Sequence, residues 1–296
     1  STDWATGANW STGSVPTTGA HIVIPDTSSI NNCVLDQSRT IGSLTIQANG
    51  TLVGGGNKLT IQSEGDAAGG TEHFALKNDG IISGNLDIDF TFAGETAADF
   101  TGSSGNFQNV KVNASGADVN QIGAATFDGT LIIVANSTYD AGNDGLTVTG
   151  DVSCSGTFLG NSTTAISHGS LTIASGGTYS ATSGTTTLTK DDTSQFLYET
   201  ISGATFTNND GTVLITGDGK LKPRAGTGNF HNLEINASGN TIDQSIALTC
   251  EGNLTITAGT LDTDSSNNYA LTVTGITQIG DGTGGTPDEA TLTCNA

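Results

Sequence analysis

The sequence predicts an all-β chain built as a β-solenoid, and three observations predict it. Hydrophobic residues make up only 34% of the 296 positions, well under the roughly 45–50% of ordinary globular domains. The difference is taken up by small and polar residues, with 42 glycines among them. Threonine and valine favour pleated strands, while glycine, asparagine and aspartate mark turns. Second, apolar residues alternate over short runs and nowhere recur at helical spacing. Third, the chain repeats itself. GNFQNVKVNASG at 105–116 returns as GNFHNLEINASG at 228–239, 123 residues later and with eight of twelve letters unchanged.

The first element, residues 4–25, reads WATGANWSTGSVPTTGAHIVIP and has no repeat character. It holds both tryptophans of the chain, then Val15-Pro16, a glycine turn and the strand-like Ile22-Val23-Ile24. The first coil of a solenoid would otherwise expose apolar side chains and unpaired backbone groups. Trp4 and Trp10 are therefore expected to lie on that coil as a cap. Residues 1–40 are read as the cap with the first strands, and 41–296 as the solenoid.

Within the solenoid a short unit recurs, opening Gly-x-Leu-x-Ile at 42–61, 129–148, 169–189 and 252–273. Leu44, Leu131, Leu171 and Leu254 start it, and a second apolar residue follows (Leu52, Tyr139, Tyr179, Leu261). Strands of this length, spaced about 20 residues apart and joined by Gly/Asn/Asp turns, fit stacked coils. A hairpin stack would favour two-residue loops such as Asn49-Gly50, Asp79-Gly80 and Asp128-Gly129. Most connections are irregular, so a right-handed parallel β-helix is favoured, with β-sandwich domains as the alternative.

The long repeat extends over about 88–150 and 211–275, through Gln121 against Gln244 to LTVTG at 146–150 and 271–275. A coil stack grows by duplication, whereas catalytic machinery is seldom needed twice. The repeated phrase is thus read as structural, with Phe230, Leu233 and Ile235 inward and Asn232 and Asn236 near corners.

The remaining chemistry-bearing residues are given structural readings. Cys33, Cys154, Cys250 and Cys294 each alternate with apolar neighbours and are expected as buried free thiols. His21, His73, His168 and His231 are isolated and expected at the surface or at corners. Asp87 with Asp89, and Asp262 with Asp264, place two carboxylates on one strand face, a pattern that glycoside hydrolysis uses. With 29 acidic residues such pairs arise by chance, so no catalytic or cofactor-binding residue is assigned and no enzyme is expected. Asp262, Asp264 and Asn267 are the candidate metal ligands, for a structural calcium, although the glycine and distal glutamate of an EF-hand loop are missing. The glycine pairs and triplets lack the Lys-Ser/Thr of a phosphate cradle. Seven Asn-x-Ser/Thr sequons are what this composition yields by chance.

A formal net charge of −21 disfavours nucleic acid and anionic membrane surfaces, which reward basic patches. The apolar runs are too short for a membrane helix, so no membrane insertion is expected. No basic stretch followed by an apolar one opens the chain. Ser1 fits either an excised initiator Met or a cleaved leader. The last letters, ATLTCNA, read as a bare strand, and that end is expected to be covered by another subunit or a continuation.

The opening Trp-x-x-x-x-Asn-Trp-Ser-x-Gly-x-Val-Pro, the Ser-Leu-Thr-Ile coils and the Asn-Phe-x-Asn-Leu-x-Ile-Asn phrases resemble two groups. One is the tailed-bacteriophage virion proteins of the fibre, appendage or decoration type. The other is the bacterial secreted adhesins of the right-handed β-helix kind. The first resemblance implies a non-enzymatic structural protein on a virion surface, and the second an extracellular or cell-surface adhesin or matrix protein. A polysaccharide-cleaving tailspike is the third implied reading. The implied partners are other virion proteins or copies of the same chain, with a homotrimer first, and host surface glycans.

Overall fold

The computed structural model describes residues 3–26, 32–63, 65–66, 73–92, 97–101, 105–161, 164–224, 228–263, 266–280 and 289–294. The chain is 57% strand and 1% helix, and parallel stacked coils form a β-solenoid of about 11 turns. It divides into two compact units, residues 1–147 and 148–296.

In the first unit each coil lays one strand on each of three faces. One face stacks His21–Ile24, Ser43–Ile46, His73–Asn78, Ala97–Thr101, Asp118–Ile122 and Thr138–Asp140, each parallel to the next. The next takes Cys33–Val34, Thr51–Val53, the starts of Ile81–Phe90 and Gly105–Val112, and Ala125–Phe127. The third takes Arg39–Ile41, Lys58–Ile61, the ends of the same two long strands, and Leu131–Ile133. Gly65–Asp66 adds a short antiparallel pairing to His73–Asn78. Asn49-Gly50, Asp79-Gly80 and Asp128-Gly129 turn corners between these parallel strands.

The second unit repeats the plan. Thr157–Leu159, Thr178–Ser180 and Thr205–Thr207 stack on one face, where Phe230 also bridges to Leu248–Cys250 and that strand to Leu271–Val273. Ile166–Ile173, Thr185–Leu188, Thr212–Ile215, Asn232–Gln244, Leu254–Asp262 and Thr277–Ile279 follow one another on the second. The third carries the ends of the long strands with Asp218–Lys222 and Ala290–Thr293.

Alternation makes the core. Inward residues such as Ile22 and Ile24, Leu59 and Ile61, and Ile235 and Ile256 are buried, while their neighbours face out. All eight apolar residues of the short unit, Leu44 through Leu261, are buried. Aromatic rings run up the interior. In the first unit Phe90, Phe100, Phe107, Phe127 and Tyr139 make successive edge contacts at 5.4–6.3 Å. In the second, Phe158 stacks on Tyr179 at 4.4 Å, Tyr179 on Phe206 at 5.9 Å, and Tyr198 meets Phe230 edge-on at 4.8 Å. Such pairs add about 0.5–1.5 kcal/mol each beyond area burial.

The tryptophans cap the stack as expected. Trp4 is fully buried, its backbone N–H donates to Val34 O at 2.8 Å, and Trp10 Nε1 donates to Trp4 O at 2.8 Å. The two indoles meet edge-on at 4.9 Å.

Both copies of the repeated phrase build coils. Phe107 pairs with Phe127 and Phe230 with Cys250, the same 20-residue step (127 − 107 and 250 − 230). Val110 pairs with Leu131, and Leu233 with Leu254. Phe230, Leu233 and Ile235 are buried and Asn236 is exposed. The corners differ. In the first copy the strand Gly105–Val112 ends, and a turn through Gly116 at φ 77° precedes Asp118–Ile122. In the second, the same letters lie inside the continuous strand Asn232–Gln244, with Gly239 at φ 78° taking up a register shift.

Two expectations are corrected. Cys154 and Cys250 are buried free thiols, but Cys33 is half-buried and Cys294 is exposed. Cys33 lies on the two-residue strand Cys33–Val34 of the first coil. Cys294 falls just past Ala290–Thr293, over which no described strand stacks. His168 is neither at the surface nor at a corner: it is fully buried in the second unit.

Candidate functional site

Three kinds of polar arrangement are present, and each belongs to particular positions of the coil. The first is a ladder of corner asparagines. Asn109 Oδ1 accepts from the backbone N–H and the hydroxyl of Thr130, both at 3.0 Å, in the next coil. At the equivalent place in the second copy, Asn232 Oδ1 accepts from Asn253 N at 2.9 Å, and Asn253 Oδ1 from Ile276 N at 2.9 Å. Glycine is needed beside each such asparagine. A Cβ at Gly252 would fall 2.5 Å from Asn232 Oδ1, and one at Gly129 would press on Asn109 Oδ1.

Asp87 belongs to the same ladder, since its Oδ1 accepts from Asn109 N at 3.1 Å and Nδ2 at 2.9 Å. Its neighbour Asp89 is almost buried, with Lys58 Nζ at 3.9 Å. Both carboxylates of this pair are thus engaged with adjacent coils.

The second arrangement is an outer cluster. Glu251 accepts from Asn208 Nδ2 at 2.9 Å and Asn229 Nδ2 at 3.1 Å. The amides of Asn229 and then Asn208 hold its carboxyl below the usual range. His231 Nδ1 lies 3.3 Å from Asp210 Oδ1. Lys190 similarly clamps both oxygens of Asp151 at 2.9 Å, and Ser170 donates to the same carboxylate at 2.7 Å. These contacts join neighbouring coils on the outside.

The third is internal. Tyr139 Oη donates to Gln121 Oε1 at 2.7 Å, and Gln121 Nε2 donates to the carbonyls of Gly123 and Gly145, both at 2.9 Å. Gln244 takes the same place in the second copy, donating to Ala270 O at 2.8 Å. There Leu261 stands where the first copy has Tyr139, and Gln244 Oε1 has no partner. His168 Nε2 lies 2.7 Å from Tyr179 Oη. Burial pushes the Tyr139, Tyr179 and Tyr198 phenols well above the ordinary value.

Of the candidate metal ligands, Asp262 is half-buried on the outer side of its strand, in a column with Lys220, Asp243 and Thr293. Asn267 is exposed in the following turn, and Asp264 lies outside the described residues. Among the described residues no three of His, Cys, Asp and Glu converge to hold a metal ion. His21 Nδ1 lies 2.9 Å from Ser43 Oγ, while the His73 side chain lies outside the described residues. The internal histidine was within reach of sequence reasoning: in Ile166-Ser167-His168 the alternation puts His168 on the side of buried Ile166.

No family model, curated protein or solved structure matches the chain. No helix among the described residues is long and apolar enough to cross a membrane.

Proposed function

We propose that this chain is a non-enzymatic structural protein of a phage particle's surface, a fibre, appendage or decoration subunit. One observation carries the reading: the duplicated phrase spends its side chains on stacking coils. Phe107 and Phe230, Val110 and Leu233, and Val112 and Ile235 are all buried, and Asn109 and Asn232 hydrogen-bond to the next coil. A stack of this kind is stiff, grows by adding coils, and presents long polar faces. One outward column, Thr157, Thr178 and Thr205, is uncharged in a chain of net charge −21. Such a column suits lateral contact with like surfaces, and a homotrimer or a neighbouring virion protein is the proposed partner. The Trp-rich opening and the Asn-Phe-x-Asn phrases, which resemble tailed-phage virion proteins, support the reading of a particle surface.

The test is the protein content of purified particles. Mass spectrometry should find the polypeptide in fixed stoichiometry with the major capsid or tail protein. Its recovery instead from bacterial surface or matrix fractions, in uninfected cells, would replace this reading with that of an adhesin.

A further inference from the structure

The interior of the second unit holds a polar island that stacking does not require. His168 is fully buried. Its Nε2 meets the Tyr179 hydroxyl at 2.7 Å, and its ring stands edge-on to both Phe158 and Tyr179 at 5.9 Å. Its other nitrogen, Nδ1, is buried without a hydrogen-bond partner, as is Thr186 Oγ1 in the next coil. An imidazolium carries two N–H donors, so protonation would leave a buried charged donor facing apolar rings.

We propose that the His168–Tyr179–Thr186 cluster is an acid-sensitive latch, which holds the coils of the second unit closed when neutral and loosens them when His168 takes up a proton.

The groups around it offer the charge nothing. The strands Thr157–Leu159, Ile166–Ile173, Thr178–Ser180 and Thr185–Leu188 contain no carboxylate and no Lys or Arg. Of the two other strands packed beside Ile166–Ile173, Leu146–Cys154 carries Asp151 and Asp191–Thr200 carries Asp191, Asp192 and Glu199, none of them buried. The titratable groups that face the site are the Tyr179 phenol and, beyond it, the Cys154 thiol, both of which burial holds neutral. Burial pushes the imidazole down to about 3, and the Ser167 backbone opposes it only in part. The unfolded chain binds this proton near pH 6.5 and the folded chain does not, so between about pH 6.5 and 3 the unfolded state binds more protons. Stability is full above about pH 6.5 and falls as pH drops through that window. The unfolded-to-folded ratio therefore rises up to about tenfold per pH unit from this one group.

The experiment has two arms on the full chain. In the first, the histidine ring signals are followed by NMR from pH 7.5 to 4.5. The His168 signal should stay in its neutral position until the unit opens; titration in the folded protein near its ordinary value overturns the proposal. In the second, urea unfolding of the wild type is compared with His168→Phe/Tyr179→Phe over the same range. The wild type should lose stability more steeply, by several-fold per pH unit, because the variant lacks the proton site. Parallel pH profiles overturn the proposal. Should the double variant fail to fold, the NMR arm decides alone.

Discussion

Tyr139→Phe isolates one buried hydrogen bond with almost no change of shape. The ring keeps its place, fully buried and edge-on to Phe127 at 6.3 Å, so no cavity the size of a side chain opens. What goes is the hydroxyl that donates to Gln121 Oε1 at 2.7 Å. Gln121 is itself 4% exposed, so its carbonyl oxygen is left without a donor and largely out of water. Stranding a buried acceptor costs about 1–3 kcal/mol, and that is the expected loss. Repeat stacks open locally, so the measurement is native-state hydrogen exchange of the amides in Asp118–Ile122 and Thr138–Asp140, alongside urea unfolding. Exchange there should accelerate by the matching factor, on the order of tenfold per 1.4 kcal/mol, while amides of the second unit stay unchanged. A change within about 0.5 kcal/mol, the range of neutral surface substitutions, would show that this hydrogen bond does not hold the coils together.

The reverse change, Leu261→Tyr, offers a hydroxyl to Gln244 Oε1. It should stabilise the second unit by about 1 kcal/mol, and a destabilised, overpacked variant in thermal unfolding would count against the equivalence of the two copies. Phe230→Ala should cost about 3–5 kcal/mol, and His231→Ala, one residue on and facing out, no more than about 0.5 kcal/mol; equal urea sensitivity would sink the register. Gly252→Ala should cost about 1 kcal/mol by displacing Asn232 from Asn253 N, and much less in an Asn232→Ala background. Additivity of the two changes would show that they do not interact. With Ellman's reagent at pH 8, Cys294 should react at once. Cys154 and Cys250, pushed up to about 12 by burial, should not react until the chain unfolds, and Cys33, pushed up to about 11, should be slow. Four free thiols should appear after unfolding without reductant, and a lower count would reveal disulfides.

Much of the fold was legible because a strand reports its own facing. Phe107, Leu233 and Ile235 alternate with polar letters, so their burial could be read directly, and the tryptophan pair declared a cap by lacking the repeat. The candidate sites were less legible. His168 was misplaced because histidine is commonly polar and exposed, although its alternation with Ile166 pointed inward. Cys294 was misplaced for the opposite reason: it has the right phase, but burial also needs a coil stacked over it. Asp87 and Asp89 look like a carboxylate pair for chemistry, and only the adjacent coils show that Asn109, from the next coil, and Lys58, from the preceding one, engage them.

The letters alone carry the in-and-out code of each strand, the short unit and its duplication. These depend on neighbours two residues apart along one chain. How coils meet is visible only in the folded chain. The same Asn-Ala-Ser-Gly ends a strand at 113–116 and continues one at 236–239. Gln121 finds a tyrosine where Gln244 finds a leucine. The partners of a coil lie 18 or more residues away, and corner length, burial and hydrogen bonding are set jointly with them rather than by local letters.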